Sequence, residues 1–174
     1  MVTDATGTDA QRALLASAEK FKLNVFRVLA NHPDLLRDWE PFSAHVFFNT
    51  SLSHRDRELL TLRSGWLCKS SYQWARHVKY AQHVGFTMPE IERVKDGPDA
   101  LGWTHHEQAV LRSVDEVREM MSISEETWNT LAETYTSTQL IDLVFCIGQN
   151  FMIAAAANTF RIPLDPDVEK YGLE

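Results

Sequence analysis

Apolar residues recur at intervals of three and four along most of the chain, which is the spacing of one face of an α-helix. The pattern predicts a first helix over residues 9–30 and a second that begins at Pro33 and is kinked or restarted at Pro41. The last predicted helix covers residues 138–158 and is apolar on nearly every side. We therefore expect it to lie in the core or at an oligomer interface.

The middle of the chain predicts a helical hairpin followed by shorter helices. A third helix over residues 54–68 and a fourth over residues 70–85 are joined by a short turn. Residues 87–90 and 104–107 have the Thr-x-x-Glu pattern of a capping box, in which both side chains bond to backbone N–H groups at a helix start. With Ser124 as a further N-cap, these signals predict three more helices before the last one.

The composition favours helices over strands. The chain has 174 residues with only 7 Gly and 6 Pro, and 44% of its residues are hydrophobic. Because turn-forming residues are scarce, long helices are favoured over many short strands. A chain of this length can bury most of its apolar surface without disulfides or metals. We expect an all-α fold and a single domain over residues 1–174.

Charge and cysteine content bear on partners and location. The formal net charge is −7, which argues against binding to nucleic acid or to an anionic membrane surface. The N-terminus has no apolar segment behind a basic start, and three polar residues interrupt the hydrophobic stretch at 140–157. The two cysteines, Cys68 and Cys146, match neither a secreted disulfide framework nor a zinc site. We expect a cytoplasmic protein without a membrane span.

Three histidines and four aromatic residues give no indication of a metal or cofactor. His83, His105 and His106 lack the spacing of a metal site, and adjacent histidines point to different faces of a helix. We expect neither a metal nor a cofactor. The aromatic residues expected in the core or at an interface are Phe42, Phe47, Phe48 and Trp66.

The densest group of chemically active residue types lies in the predicted hairpin. Glu58 and His77 occupy its two helices, and a carboxylate beside an imidazole can form a general acid/base pair. The alternative is a buried ion pair that locks the hairpin. On ideal helices the two residues differ by about 7 Å in height. Contact between them therefore requires crossed helix axes, a bend at Gly65 or a bridging water.

Two motifs in the hairpin resemble a known family. Residues 57–63 read RELLTLR and residues 72–77 read YQWARH, followed by a similar stretch at 81–85. They are similar to the REL-x-x-LR and YEW-x-x-H signature of the carboxymuconolactone decarboxylase and alkylhydroperoxidase D (AhpD) superfamily. Three further stretches agree: residues 23–33, 124–135 and 148–160. The resemblance covers most of the chain and implies an AhpD-like bundle of about seven or eight helices.

The chain departs from the peroxidatic members of that superfamily. Those members carry C-x-x-C-x-x-x-H with a Glu 19 residues before the His, and Glu58 and His77 keep this spacing. Ser70 and Gln73 stand at the two cysteine positions, so the dithiol is absent. A lone Cys68 cannot form the intramolecular disulfide that such turnover requires. An alkylhydroperoxidase activity is therefore disfavoured.

Two residues also differ from the decarboxylase-like members. Gln73 stands where those members often have Glu, and a neutral amide cannot act as an acid or a base. We expect Gln73 to orient a substrate or a water by hydrogen bonding. Asn150 stands where many relatives have Tyr, which changes the expected polarity of the pocket.

The resemblance implies cofactor-free acid/base chemistry on a small organic acid or lactone, as in a carboxymuconolactone decarboxylase-like lyase or isomerase. His77 is the expected acid/base and Glu58 its orienting partner. An arginine is expected to hold a carboxylate, although a surface or interhelix salt bridge is the alternative for each one. The expected substrate-binding residues are Arg63, Cys68, Tyr72, Gln73, Trp74 and Arg76.

Two other classes of function stay open. One is a thiol-dependent, peroxiredoxin-like antioxidant, and the other is a non-catalytic small-molecule-binding or assembly protein that keeps the fold with a degenerate site. The resemblance also implies a homo-oligomer, in the form of a dimer, a trimer or a hexamer. The identity of the substrate cannot be read from the sequence, because the pocket is lined by several helices whose relative positions the spacing does not define.

Overall fold

The computed structural model describes residues 7–16 and 23–171, which fold into nine α-helices and one π-helical turn without any strand. The predicted all-α class is confirmed for this part of the chain, with one or two helices more than expected. The helices are α1 Asp9–Ala16, α2 Asn24–Leu29, α3 Pro33–Ala44, α4 His54–Leu67, α5 Ser71–His83, α6 Met88–Asp96, α7 His105–Met120, α8 Glu125–Ala132 and α9 Ser137–Thr159, and the π-helical turn is His45–Asn49.

The N-terminal region differs from the single helix predicted over residues 9–30. Leu23 has extended backbone, with φ −65° and ψ 142°, and α2 begins directly after it. Residues 17–22 of the predicted helix lie outside the described residues. The apolar spacing continues on both sides of Leu23, so the pattern alone does not reveal the break.

The second predicted helix does not restart at Pro41. Instead α3 continues through this proline to Ala44, and the geometry changes only at His45, where the π-helical turn begins. A proline removes one backbone hydrogen bond and its ring crowds the preceding turn, and here it lies in the last turn of α3, shortly before the geometry changes. The π-helical turn carries Phe47 and Phe48, which become important at the candidate site.

Helix starts are the most accurately predicted feature of the chain. The capping boxes at residues 87–90 and 104–107 are both formed, and Ser124 caps α8 by accepting from the backbone of Thr127. A third capping box, at residues 136–139, begins α9. Its Thr-x-x-Gln pattern belongs to the same class of signal.

The central element of the bundle is α4, which packs against α5, α6, α7 and α9. Every residue of α4 from Asp56 to Gly65 is buried, including Leu59, Leu60 and Leu62 in the main core. Most helices of soluble proteins keep one face in water, but α4 has none over these three turns. Its charged residues are therefore buried as well and must find partners inside the protein.

A buried carboxylate ties the C-terminal segment, residues 160–171, to the helices before it. Asp165 is 2% exposed and accepts hydrogen bonds from the Tyr72 hydroxyl at 2.8 Å, from Arg76 Nη2 at 2.6 Å and from the backbone N–H of Asn24 at 2.6 Å. These bonds hold α2 against α5. Asp167 is exposed and adds an outer ion pair to Arg76, with Oδ1 2.7 Å from Nη2.

The last helix, α9, has a buried face against α4 and α5 and an apolar face in solvent. Ile141, Val144, Phe145 and Met152 are 59%, 40%, 56% and 47% exposed. By length and composition, α9 is the one helix in the described part of the chain that is apolar enough to cross a membrane. Its inner face is nevertheless packed as a core helix is. The expectation of a core helix is met for this inner face only.

We predict that Asp165→Asn lowers the free energy of unfolding by about 3 kcal/mol, because the change leaves Arg76 with one partner fewer in a buried position. Denaturant unfolding followed by circular dichroism measures this value. The matched control is Asp167→Asn, which removes the same charge at the exposed end of the network and is expected to cost about 1 kcal/mol or less. Equal costs for the two variants would contradict a central role of Asp165.

A second polar cluster joins the start of α4 to the start of α7 and to the loop before α9. His106 Nε2 lies 3.4 Å from Asp56 Oδ1, its Nδ1 lies 3.0 Å from Thr134 Oγ1, and its ring meets Tyr135 edge to face at 4.9 Å. The hydrogen bond to Asp56 raises the pKa of His106, against the opposing effect of burial, and Glu107 adds negative charge nearby. Burial alone would raise the pKa of Asp56, but its hydrogen bonds lower it.

This cluster makes part of the stability depend on pH. Because the pKa of His106 is raised by folding, its contribution is complete below the ordinary value of about 6.5 and is lost as the pH rises through the folded-state value. We predict that His106→Gln destabilises the protein more at about pH 5.5 than at about pH 9. Unfolding curves at both pH values measure the difference. The exposed neighbour variant His105→Gln is expected to show no such pH dependence.

Candidate active site

Glu58 on α4 and His77 on α5 are in direct contact. Glu58 Oε2 lies 2.7 Å from His77 Nδ1, and Glu58 is completely buried. No bridging water is needed because the two side chains meet directly, and α4 continues through Gly65 as one helix. A Cβ added at Gly65 would lie 3.4 Å from the backbone nitrogen of Trp74, which is an ordinary contact, so the packing of α4 against α5 does not itself require a glycine here.

Arg57 supports the carboxylate of Glu58 from the other side. Its Nε and Nη2 both donate to Glu58 Oε1, at 3.1 and 2.8 Å, and its Nη1 donates to the backbone carbonyl of Phe47. Burial alone would raise the pKa of Glu58, but the charges and hydrogen bonds of His77 and Arg57 lower it. Glu58 is therefore an ionised hydrogen-bond acceptor inside the protein.

The ring of His77 is fixed by these contacts and by aromatic neighbours. Phe47 stacks on it with a centroid distance of 5.5 Å, and Tyr80 meets it edge to face at 5.4 Å. Because an ionised carboxylate only accepts, we assign the proton of Nδ1 to the bond with Glu58. The other nitrogen, Nε2, is then the atom that can exchange a proton with a bound molecule.

His77 lies on the wall of a cavity of about 380 Å³. Tyr72, Gln73 and Arg76 from α5 line the same cavity, as does Arg57 from α4. The rest of the wall is mostly apolar and comes from Tyr80 of α5, from segments before α4 and from α9. Its aliphatic, phenylalanine and tryptophan side chains are those of Leu23, Val25, Phe26, Trp39, Ala44, Phe47, Phe48 and Ile153.

A chain of hydrogen bonds determines how the amide of Gln73 is oriented. The Thr61 hydroxyl donates to the carbonyl of Arg57 at 2.9 Å, so its oxygen accepts from Asn150 Nδ2 at 3.1 Å. The oxygen of Asn150 then accepts from Gln73 Nε2 at 3.0 Å. Gln73 Oε1 is left buried without a hydrogen-bond partner. Gln73 Nε2 thus donates to Asn150 inside the bundle, and the unpaired atom of the amide is the acceptor Oε1.

The six expected substrate-binding residues separate into two groups. Tyr72, Gln73 and Arg76 lie on the cavity wall. The polar groups of Tyr72 and Arg76 already donate hydrogen bonds to Asp165. Burial, with the nearby Asp165 carboxylate, raises the pKa of Tyr72, so its hydroxyl remains a donor.

Arg63 is not brought to the cavity. Its Nε and Nη2 donate to the carboxylate of Asp115 at 2.7 and 2.8 Å, and its Nη1 donates to the carbonyls of Val94 and Lys95 at the end of α6. A Cβ added at Gly97 would lie only 2.9 Å from Arg63 Nη2. The alternative considered for this residue, an interhelix salt bridge, is what the structure shows.

Trp74 and Cys68 also lie away from the cavity wall. Trp74 is 1% exposed and packs against Trp66 at a centroid distance of 5.6 Å inside the main core. Cys68 ends α4, and its carbonyl accepts from Asn158 Nδ2 at 2.8 Å.

Several features of the site were missed from the sequence. The RELLTLR motif contains Arg57 but does not indicate its role, and the sequence predicts Phe47 and Phe48 in the core or at an interface. The structure places both phenylalanines on the cavity wall, whereas Phe42 and Trp66 do pack against the main core. The signal for Arg57 was its position beside Glu58 in the RELLTLR motif. Nothing local signals Asp165, which is distant in the sequence from its partners.

One known protein family matches part of the chain. The model of the carboxymuconolactone decarboxylase family matches residues 33–116, a region that contains both Glu58 and His77. The family that the sequence motifs resemble therefore matches this chain over residues 33–116. No curated protein matches the sequence of the chain.

Three solved structures share the fold. An uncharacterized peroxidase-related protein from Ralstonia eutropha JMP134, described as an alkylhydroperoxidase AhpD core, has a TM-score of 0.79 at 16% identity, over 94% of this chain and 89% of that one. A peroxidase-related protein from Silicibacter sp. TM1040 has a TM-score of 0.79 at 15% identity, over 95% and 89%. A protein of unknown function from Agrobacterium tumefaciens, described as an antioxidant defence protein AhpD, has a TM-score of 0.73 at 20% identity, over 80% and 97%. The AhpD-like fold is therefore confirmed.

Proposed function

We propose that the chain is a cofactor-independent lyase or isomerase that acts on a small lactone or a related acid, with His77 as its acid/base. The observation that supports this is the contact between Glu58 and His77 at the wall of an apolar cavity. In this proposal His77 is the catalytic residue because Nε2 meets the substrate. Glu58 is a positioning residue that acts through Nδ1, and Arg57 keeps Glu58 ionised and in place.

The proposed proton transfer needs no oxidant and no cofactor. For an isomerase, Nε2 takes a proton from the carbon next to a carbonyl, and the electron pair of the C–H bond moves into the conjugated carbonyl as an enolate. The proton then returns at a different carbon and the double bond shifts, so that no atom is gained or lost. For a lyase, the bond to a carboxylate breaks instead, CO₂ leaves, and the imidazolium supplies the proton to the carbon.

The thiol-dependent alternative finds little support in the site. Both cysteines are free, and they lie on different helices from the Ser70 and Gln73 positions. Burial raises the pKa of the Cys68 thiol, and it raises the pKa of Cys146 to about 12, so neither is a reactive thiolate at neutral pH. Free thiols agree with the reducing, cytoplasmic location that we propose.

We predict that the chain isomerises α-angelica lactone, a β,γ-unsaturated lactone, with deuterium incorporation from D₂O. His77→Ala and Glu58→Gln are each expected to slow this reaction by about 100-fold or more, because one removes the acid/base and the other its orienting charge. Nuclear magnetic resonance measures both the double-bond shift and the deuterium content.

The matched control is His83→Ala, which removes an exposed histidine from the last turn of the same helix and is expected to leave the rate unchanged. Thermal unfolding of all variants checks that they are folded. Unchanged turnover in both the His77→Ala and the Glu58→Gln variants would contradict the proposal. Ligand binding without any turnover in the wild-type protein would favour the non-catalytic alternative.

The proposal includes a homo-oligomer formed through the exposed face of α9. Ile141, Val144, Phe145 and Met152 follow one another at helical spacing along this face. Gly148 lies among them, and a Cβ placed there would have no neighbour within 4 Å, so another helix could approach closely. A second copy supplies the same apolar stripe, which is the self-complementarity that a two-fold interface requires.

We predict that the wild-type chain is oligomeric at micromolar concentration and that Ile141→Glu shifts it towards monomer, because a charge would be buried in the interface. Light scattering coupled to size-exclusion chromatography measures the mass. The control is Leu101→Glu, which changes a 94% exposed leucine outside α9 and is expected to leave the mass unchanged. A monomeric wild-type protein would contradict the prediction.

A further inference from the structure

The positive side chains at the cavity wall all have partners. Arg57 is paired with Glu58, and Arg76 is paired with Asp165 and Asp167. Both oxygens of Asp167 accept from Arg76, Oδ1 from Nη2 at 2.7 Å and Oδ2 from Nη1 at 3.0 Å. Among the described residues that line the cavity, neither guanidinium group is left to hold an anionic ligand.

The charges around the cavity are already balanced by one another. The two guanidinium groups of the wall and the ammonium group of Lys79, which lies 2.6 Å from Asp167 Oδ2, are matched by the carboxylates of Glu58, Asp165 and Asp167. In an apolar cavity such charges interact more strongly than in water, because the local dielectric constant is low. A carboxylate that entered would lose its hydration and meet no compensating charge.

The uncharged polar atoms of the wall do not take the place of an unpaired positive group. Gln73 Oε1 is an acceptor without a partner, and His77 Nε2 accepts when Nδ1 carries the proton for Glu58. The Tyr72 hydroxyl already donates to Asp165. The hydroxyls of Ser43 and Tyr80 remain, and each can bind a neutral polar group in either direction. The polar end of the cavity therefore suits a neutral ligand that carries a donor.

We propose that the cavity binds an uncharged, largely apolar molecule with a single neutral polar group near His77, and that it discriminates against carboxylates. This inference deepens the proposed function and rests on it for the reaction only. Loss of CO₂ requires a carboxylate on the substrate, so a neutral ligand makes proton transfer within an enolisable lactone or ketone the reaction that the site favours over decarboxylation.

The test compares two probes of the same shape. 2-Naphthamide and 2-naphthoate have the same ring system and differ by an amide NH₂ in place of an anionic oxygen. We expect the wild-type protein to bind 2-naphthamide at least about tenfold more tightly at neutral pH, which corresponds to about 1.4 kcal/mol. Isothermal titration calorimetry measures both affinities, and His77→Ala is titrated in parallel so that binding is measured without turnover.

A charge variant tests the cause of the discrimination. Asp167→Asn leaves Arg76, and the exposed Lys79 beside it, with one carboxylate fewer, so 2-naphthoate is expected to bind several-fold more tightly while the affinity for 2-naphthamide stays the same. The matched control is Glu169→Gln, which removes the same charge from an exposed position of the same segment that does not line the cavity. Neither affinity is expected to change in this control.

Two results would overturn the inference. One is binding of 2-naphthoate that equals or exceeds that of 2-naphthamide in the wild-type protein, and the other is no binding of 2-naphthamide at millimolar concentration. Failure of the proposed function is seen in a different measurement, the turnover of the His77 and Glu58 variants. If the protein binds 2-naphthamide selectively but the reaction rate does not depend on His77, the neutral-ligand inference is supported and the proposed mechanism is rejected.

Discussion

Burial of α4 on all sides is the constraint on which the rest of the structure depends. A helix in this position cannot send its charged side chains into water, and an unpaired charge in a protein interior is costly. Glu58 receives a partner on each side, from Arg57 and from His77. Arg63 receives Asp115 and two carbonyls at the end of α6. The contacts that hold the bundle together and the pair at the cavity therefore come from one helix.

The same requirement for partners shapes the chemistry of the cavity. Arg76 lies on the wall, but the C-terminal segment supplies it with Asp165 and Asp167, so its charge is used for structure. What remains at the polar end is an imidazole held by an ionised carboxylate in apolar surroundings. There the hydrogen bond between Glu58 and His77 is not weakened by competing water. This arrangement suits proton exchange with a molecule that brings little charge of its own.

The shared fold does not by itself define the chemistry of the site. Structures that are only 15% to 20% identical in sequence share the bundle, and two of them are described as peroxidase-related. Here the amide of Gln73 bonds to Asn150 and lies near the carbonyl of Thr61. A carboxylate at position 73 would face these oxygens, so the local network favours a neutral side chain. Function must therefore be argued from the residues of the site rather than from the fold.

The sequence by itself determined most of the helices and their caps, and it placed Glu58 and His77 on adjacent helices. Helix formation depends on residues three and four apart, and the two motifs place the pair on adjacent helices at a defined spacing. Only the tertiary structure decided which arginine faces the cavity and whether it is free. The partners of Arg63 and Arg76 lie 52 and 89 residues away in the sequence, and the packing of whole helices brings them together. No local pattern encodes contacts over such separations, because they depend on the positions of every element in between.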